Sequence, residues 1–222
     1  MQQTPVHDLH NPDLLGVMRP ATRKVLEIGC MSGALAREFK KIVPDVFYAG
    51  VEIDASYAEL AKKYCNLVYT LNIDEAPDYF WDLQSSVDAW VFGDVLEHLR
   101  DPWRVLTKIN KVIPKNGYVA ACIPNAQHWS IQAKLSMGDF RYEDSGLLDR
   151  THLRWFTRKT IYEMFENCGF KVVQEIPRIF PSKGNEEILK SISHTASLCG
   201  FDPEVAIKDA LPLQYVIQAV PV

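Results

Sequence analysis

Short apolar runs alternate along this chain with stretches whose apolar residues recur every three or four positions, and that alternation leaves few folds open. Lys24-Val-Leu-Glu-Ile28 has the length of a buried strand; a turn of small residues from Gly29 to Gly33 follows, then Ala34, Leu35, Ala36, Phe39 and Ile42 at helical spacing. Pro44 ends that helix, and residues 46–51 read as a second strand. The pattern continues with a helix over 57–64, strands over 66–71 and 87–92, and a strand over 118–123. A short helical lead-in over 11–18 precedes it all. Between the last two strands, Asp101-Pro102 opens a helix whose apolar stripe is Val105, Ile109 and Val112. Asp can cap the free amides there, and Pro is tolerated at the first helical position. Strands interleaved with helices form a parallel sheet covered on both faces.

After Pro124 the rhythm breaks. Residues 125–155 mix aromatic and charged side chains with no clean period, which predicts a lid or an inserted substrate element. Thr157 starts a helix carrying Ile161, Phe165 and Cys168 that stops at Gly169, and residues 170–176 form another strand. A second insertion over 179–209, with a helix near 186–199, leads to a last strand over 214–220. There is no internal repeat and no linker.

Composition narrows the function. The 222 residues are 47% hydrophobic and 23% charged, and 24 Lys+Arg against 28 Asp+Glu give a net charge of −4. No global positive field exists to hold a polyanion, so bulk nucleic-acid binding is not expected. No apolar run approaches the ~20 residues that span a bilayer, and the first residues lack a secretory pattern. Membrane insertion is not expected, and a cytoplasmic location is. The five cysteines are scattered and never spaced Cys-x-x-Cys, which fits small buried apolar residues better than a disulfide framework or a zinc site.

Ligands of an open parallel sheet sit beyond the carboxyl ends of its strands, and the first strand usually supplies the site. Gly29 and Gly33 let the backbone turn sharply there. Nineteen residues after Gly33, Glu52 ends the second strand, where a carboxylate can accept from both hydroxyls of a ribose. A nucleoside is the implied ligand. Met31 stands where a dinucleotide-binding Gly-x-Gly-x-x-Gly needs its second glycine, and Glu27 suits an ammonium better than a diphosphate.

These residues resemble the class I S-adenosylmethionine-dependent methyltransferases along nearly the whole chain. Residues 25–33 look like their first motif, Gly50-Val-Glu-Ile-Asp54 like the second-strand motif, and Asn72-Ile-Asp74 like the loop flanking the adenine. Residues 87–99 are similar to their fourth-strand motif, with Asp101-Pro-Trp103 following. The resemblance implies an α/β, Rossmann-like doubly wound sheet of seven strands, mostly parallel with an antiparallel last strand. It implies one domain over 1–222: a cofactor-binding half over 1–123 and acceptor-side insertions over 124–156 and 179–209. S-adenosylmethionine would be the cofactor, with Glu27, Gly29 and Gly33 around its methionine part, Glu52 on the ribose, Ile73 and Asp74 at the adenine, and Gly93 and Asp94 beside the sulfonium. Met31 departs from the family, where Gly is frequent.

The methyl-accepting side is read from Asp94-Val-Leu-Glu-His98. The spacing predicts Asp94, Glu97 and His98 on one side of a helical turn, and His98 is the natural base near neutral pH. The same residues with His152 could instead hold a divalent metal, as some family members do, although a plain base role is favoured. The segment Gly146-Leu-Leu-Asp-Arg-Thr-His-Leu-Arg-Trp-Phe-Thr157 resembles a branch found in glycan and natural-product biosynthesis. That resemblance implies His152 in the acceptor site as base or ligand, and Arg150 and Arg154 could grip a carboxylate or phosphate of the acceptor. The alternative is that Asp149 and Arg150 only fix the lid. Trp129, Phe140, Tyr142, Trp155 and Phe156 are expected as lid core rather than a sugar-stacking platform. The expected activity is methylation of a hydroxyl on a small-molecule or glycan acceptor. A non-catalytic cofactor-binding partner and a nicotinamide-dependent oxidoreductase are the alternatives, and nothing in the sequence speaks to oligomeric state.

Overall fold

The computed structural model describes residues 7–182 and 184–222. In chain order the elements are α1 (Pro12–Gly16), β1 (Lys24–Ile28), α2 (Ala34–Ile42), β2 (Phe47–Glu52), α3 (Ala55–Ala61), β3 (Leu67–Thr70), α4 (Asp78–Asp82), β4 (Ala89–Gly93) and α5 (Pro102–Val112). They continue with β5 (Tyr118–Pro124), α6 (Trp129–Ser136), α7 (Arg158–Asn167), β6 (Phe170–Arg178), α8 (Glu186–Leu198), α9 (Pro203–Ala210) and β7 (Gln214–Pro221). The strands form one sheet in the order β3-β2-β1-β4-β5-β7-β6. The first five run parallel, and β7 lies antiparallel between β5 and β6, as expected for the last strand.

Alternation along the central strands builds two cores. Val25, Val91 and Tyr118 pack with Leu14, Leu35, Phe39 and Ala61 of α1, α2 and α3. Their neighbours Leu26, Ile28, Trp90, Phe92 and Val119 point the other way, into Phe80, Trp81, Leu106, Ile109 and Phe165 of α4, α5 and α7. A side-chain period of two thus buries both faces of the sheet, and each large apolar side chain contributes about 1.5–3 kcal/mol. Strand order reverses between β1 and β4, so the crevice beyond their carboxyl ends is where a ligand fits.

Helix starts follow local chemistry. Asp101 Oδ1 accepts from Arg104 N at 2.9 Å, and Asp54 Oδ1 accepts from Ser56 N at 2.8 Å. The second cap starts α3 at Ala55, two residues before the expected Tyr57. Three helices were not anticipated. α4 is too short to show a period, α6 buries only Ile131, and α9 lies inside the second insertion behind the cap of Asp202. Among the described residues, no helix is long and apolar enough to cross a membrane.

Candidate active site

Two adjoining cavities open at the crevice, of about 240 Å³ and about 290 Å³. Gly29, Met31, Gly93, Asp94 and His98 line both, so the two lobes meet at the ends of β1 and β4.

The first lobe runs from Ile28 and Gly29 past Glu52 to residues 71–74. Gly29 has φ +72°, and a Cβ there would lie 2.6 Å from Val95 Cγ2. Only glycine fits that turn. Glu52 is buried at the end of β2, its Oε2 accepting from Met31 N at 2.9 Å and its Oε1 from Asp54 N at 3.0 Å. Each oxygen keeps a lone pair, enough to receive the two hydroxyls of a ribose. Met31, where the family often has glycine, adopts a glycine-like backbone with φ +44°, and its bond to Glu52 helps hold it there. Ile73 and Asp74 line the far end. The Asp74 carboxylate also accepts from Arg100 N at 2.9 Å, tying the loop after β3 to the start of α5.

Gly33 lines neither lobe. Its Cβ would meet the Ala61 backbone at 3.2 Å, so its place is the close passage of the start of α2 over the end of α3.

The second lobe lies between residues 7–11 and the 145–152 segment. Glu27 lines it, receives the Tyr48 hydroxyl at 2.9 Å, and is pushed up to about 8, mainly by burial. Asp94 has φ +55°, so residues 94–98 are not the α-helical turn expected; only Leu96–His98 coils, as a 3-10 turn. Gln214 at the start of β7 donates to Asp94, whose carboxyl burial raises to about 6.

Glu97 is 1% exposed, and neither of its carboxylate oxygens has a hydrogen-bond partner. Burial and then the Asp94 charge hold its carboxyl well above the usual range. Its backbone carbonyl accepts from Leu153 N and Arg154 N, clamping the lid segment against the β4 end. Ligand atoms of Glu97, His98 and His152 all lie within 4.8 Å of one another, and the two imidazole rings are 4.7 Å apart. Asp94, expected as a fourth member, is outside this group because its left-handed backbone and Gln214 draw its carboxylate to β7.

The tautomers of both histidines follow from their partners. His98 Nδ1 faces the Thr151 carbonyl at 3.2 Å and Thr151 Oγ1 at 3.1 Å. The Thr151 hydroxyl itself donates to Asp149 Oδ1 at 2.6 Å, so both Thr151 atoms accept and His98 Nδ1 carries the proton. Nε2 is then left as an unprotonated base. His152 Nδ1 faces the Leu147 carbonyl at 3.3 Å, which frees its Nε2 toward Glu97, 4.0 Å away. Burial lowers the pKa of both imidazoles, and the neighbouring His98 charge lowers His152 further.

Arg150 and Arg154, expected as an anion grip, line neither lobe. Arg150 pairs with Asp144 on the lid surface, and Arg154 donates to the Leu153 and Arg100 carbonyls. The Asp149–Thr151 turn sends the histidine inward and the guanidinium groups outward. Phe140, Tyr142 and Trp155 cluster half-exposed on the lid, and Phe156 is buried against Trp103. Sequence reading missed Asp149 and Thr151 as the support of His98, Gln214 as the partner of Asp94, and His7, His10 and Asn11 as cavity walls. No local pattern signals them, because each meets the site across a long stretch of chain.

The sequence matches a family described as "Methyltransferase domain" over residues 9–175. No curated protein matches it significantly. Among solved structures, mitomycin 7-O-methyltransferase MmcR is similar at 12% identity and a TM-score of 0.58 over 94% of this chain, which spans only 52% of that one. A possible histamine N-methyltransferase from Thermotoga maritima is 19% identical, with 94% and 86% of the two chains covered and a TM-score of 0.58. Magnesium protoporphyrin IX methyltransferase from Synechocystis PCC 6803, solved with bound SAH, is 11% identical, with 95% and 80% covered and a TM-score of 0.59. At such identities the structures speak for the fold alone, whereas the family match covers most of the chain and sets the oxidoreductase alternative aside. The glycine turn, the buried Glu52 carboxylate and the two lobes fit the cofactor of that family, and the chain belongs to it as an S-adenosylmethionine-dependent methyltransferase.

Proposed function

We propose that the protein methylates a hydroxyl of a small-molecule or glycan acceptor, with His98 Nε2 as the general base. The observation that carries this reading is the pair of Thr151 acceptors on His98 Nδ1, which leaves Nε2 unprotonated on a ring lining both lobes. When bound, S-adenosylmethionine supplies a methyl carbon activated by positive sulfur. The work left to the protein is alignment and proton removal, and a positioned base is worth about 10²–10⁴ in rate. Asp149 and Thr151 orient the His98 ring. His152 lines only the second lobe and faces Glu97, which suits it to holding the acceptor or assisting the base.

The acceptor reading is sharpened by charge. Among the described residues no lysine or arginine lines the second lobe, while Glu27, Asp94, Glu97 and Asp149 do. That wall favours an uncharged, hydroxylated acceptor over a carboxylate or phosphate.

The test is methyl transfer from labelled S-adenosylmethionine to matched neutral and anionic sugars and phenols. A neutral hydroxyl is expected to be methylated, and His98→Gln should lower kcat about 100-fold or more while cofactor affinity stays within about two-fold. Transfer only to amines, or a His98→Gln enzyme as fast as wild type, would overturn the reading.

A second reading keeps a divalent cation among Glu97, His98 and His152. It is favoured by the convergence of two imidazoles with the buried, unpartnered Glu97 carboxyl, which would give up its proton to a bound cation. Activity undiminished by exhaustive chelation would dismiss it.

A further inference from the structure

The antiparallel run of β7 brings the start of a strand, and with it Gln214, to the end of the sheet where β4 stops. Gln214 and Asp94 both line the second lobe, and both are half-buried. Behind them, in a layer that lines neither lobe, Arg178 donates to Gln214 Oε1 and pairs with Asp13 at 2.8 Å. Gln214 Nε2 donates to Asp94 Oδ1. Those two partners settle which way round the amide lies, since a guanidinium only donates and an ionised carboxylate only accepts. The polar chain therefore runs from Asp13 through Arg178 and Gln214 to Asp94, and it ends at the lobe.

An amide nitrogen carries two protons, and the second one on Gln214 Nε2 has no partner among the described residues. The Asp94 carboxylate receives Gln214 and, more weakly, the Cys122 thiol, which leaves it lone pairs to spare. Burial raises this carboxyl only to about 6, so it is ionised near neutral pH. A free N–H beside such a carboxylate matches a hydroxyl, which accepts from the first and donates to the second. An ammonium cannot accept, and a carbonyl or an ether cannot donate. The hydroxyl held here is not the one that loses its proton, because Gln214 draws Asp94 toward β7 and away from the Glu97, His98 and His152 group that contains the base. We propose that Gln214 Nε2 and the Asp94 carboxylate form a subsite for a second hydroxyl of the acceptor, so that the substrate is a diol or polyol rather than a mono-alcohol. This rests on the reading of the second lobe as the acceptor side and of His98 as the base. Arg178 and Asp13 hold the amide from behind.

The experiment is labelled methyl transfer by the full chain to the methyl α-pyranosides of glucose, mannose and galactose, each beside its monodeoxy analogues. Wild type should methylate at least one parent sugar, and loss of one hydroxyl other than the methylated one should lower kcat/KM about ten-fold or more. Gln214→Met keeps the length of the side chain and removes the amide, and it should bring parent and deoxy sugar to within about two-fold of each other. Gln214→Glu keeps an oxygen for Arg178 but sets a second carboxylate against Asp94, and it should lose the discrimination too. His98→Gln should slow parent and deoxy sugar alike and preserve their ratio, because the base acts on the other hydroxyl. A wild type that treats every deoxy analogue like its parent, or Gln214 variants that keep the wild-type ratio, would overturn the subsite and leave the base in place. A wild type that binds S-adenosylmethionine yet methylates none of the sugars would instead overturn the neutral-hydroxyl reading beneath it.

Discussion

Glu27 carries the sharpest single-residue consequence of burial. Its carboxyl is raised from 4.5 to about 8, so near neutral pH it holds a proton in the free protein. An ammonium at that position favours the ionised form, so cofactor binding should release a proton. Affinity for S-adenosylmethionine is expected to rise by up to about ten-fold per pH unit between about pH 6 and about pH 7.5, and Glu27→Gln should flatten the slope. Calorimetry in buffers of different ionisation enthalpy checks the proton release directly. The same shift has a stability side. The folded state keeps a proton that the unfolded chain sheds above 4.5, so this group's contribution is present at low pH and lost as pH rises toward about 8. His98 behaves in the opposite sense: burial lowers its pKa from 6.5, so the base form persists below that value. The acceptor kcat/KM should therefore hold at pH 6.5 and fall only in more acid solution, as a pH–rate profile would read out.

Two turns between elements set the site, and each can be broken separately. The turn after β1 places Gly29 at φ +72° with Val95 Cγ2 in the space of a Cβ. Gly29→Ala should destabilise the fold by about 1–3 kcal/mol through strain and overlap. Adding Val95→Ala should recover only the overlap, a difference that urea denaturation of the single and double variants can resolve. The lid turn is held by Asp149 Oδ1, which accepts from Thr151 N at 2.8 Å and from the Thr151 hydroxyl. Burial works against the Asp149 charge, but those hydrogen bonds prevail and hold its pKa below the usual value. Asp149→Ala should free the groups that orient His98, costing about ten-fold or more in kcat with cofactor affinity unchanged. Steady-state kinetics beside cofactor titration separates the two.

Across the whole molecule, the start of the antiparallel β7 joins β6 and α1 to the end of β4 at the crevice. Gln214 at its start donates to Asp94 and receives Arg178 of β6, which pairs with Asp13 of α1 at 2.8 Å. The central strand supplies the stability behind this arrangement. Trp90 is fully buried in β4 and stacks on Trp81 at 6.0 Å, so Trp90→Ala should cost about 3–5 kcal/mol in urea unfolding. Its indole nitrogen has no partner, so Trp90→Phe should cost much less than the alanine change.

The sheet was legible along the chain because burial on both faces forces apolar runs of five or six residues, and turns force Gly, Pro and Asp between them. Glu52 and Gly29 were legible for the same reason: a carboxylate at a strand end and a glycine in a tight turn are local facts. α4, α6 and α9 were not, since short helices or helices that bury one residue leave no period. The direction in which a lid side chain points was also hidden. Arg150, Thr151 and His152 are consecutive, yet only folding sends His152 beside Glu97, Thr151 under His98 and Arg150 out to Asp144. Neighbouring residues on an irregular turn diverge by backbone angles that no periodicity records. The wall that residues 7–11 give the second lobe is another such case, because Asn11 and Glu27 share a cavity only after α1 has packed against the sheet. Local sequence chemistry therefore established the cofactor-binding frame, while long-range packing chose which polar groups face the ligand and which face water.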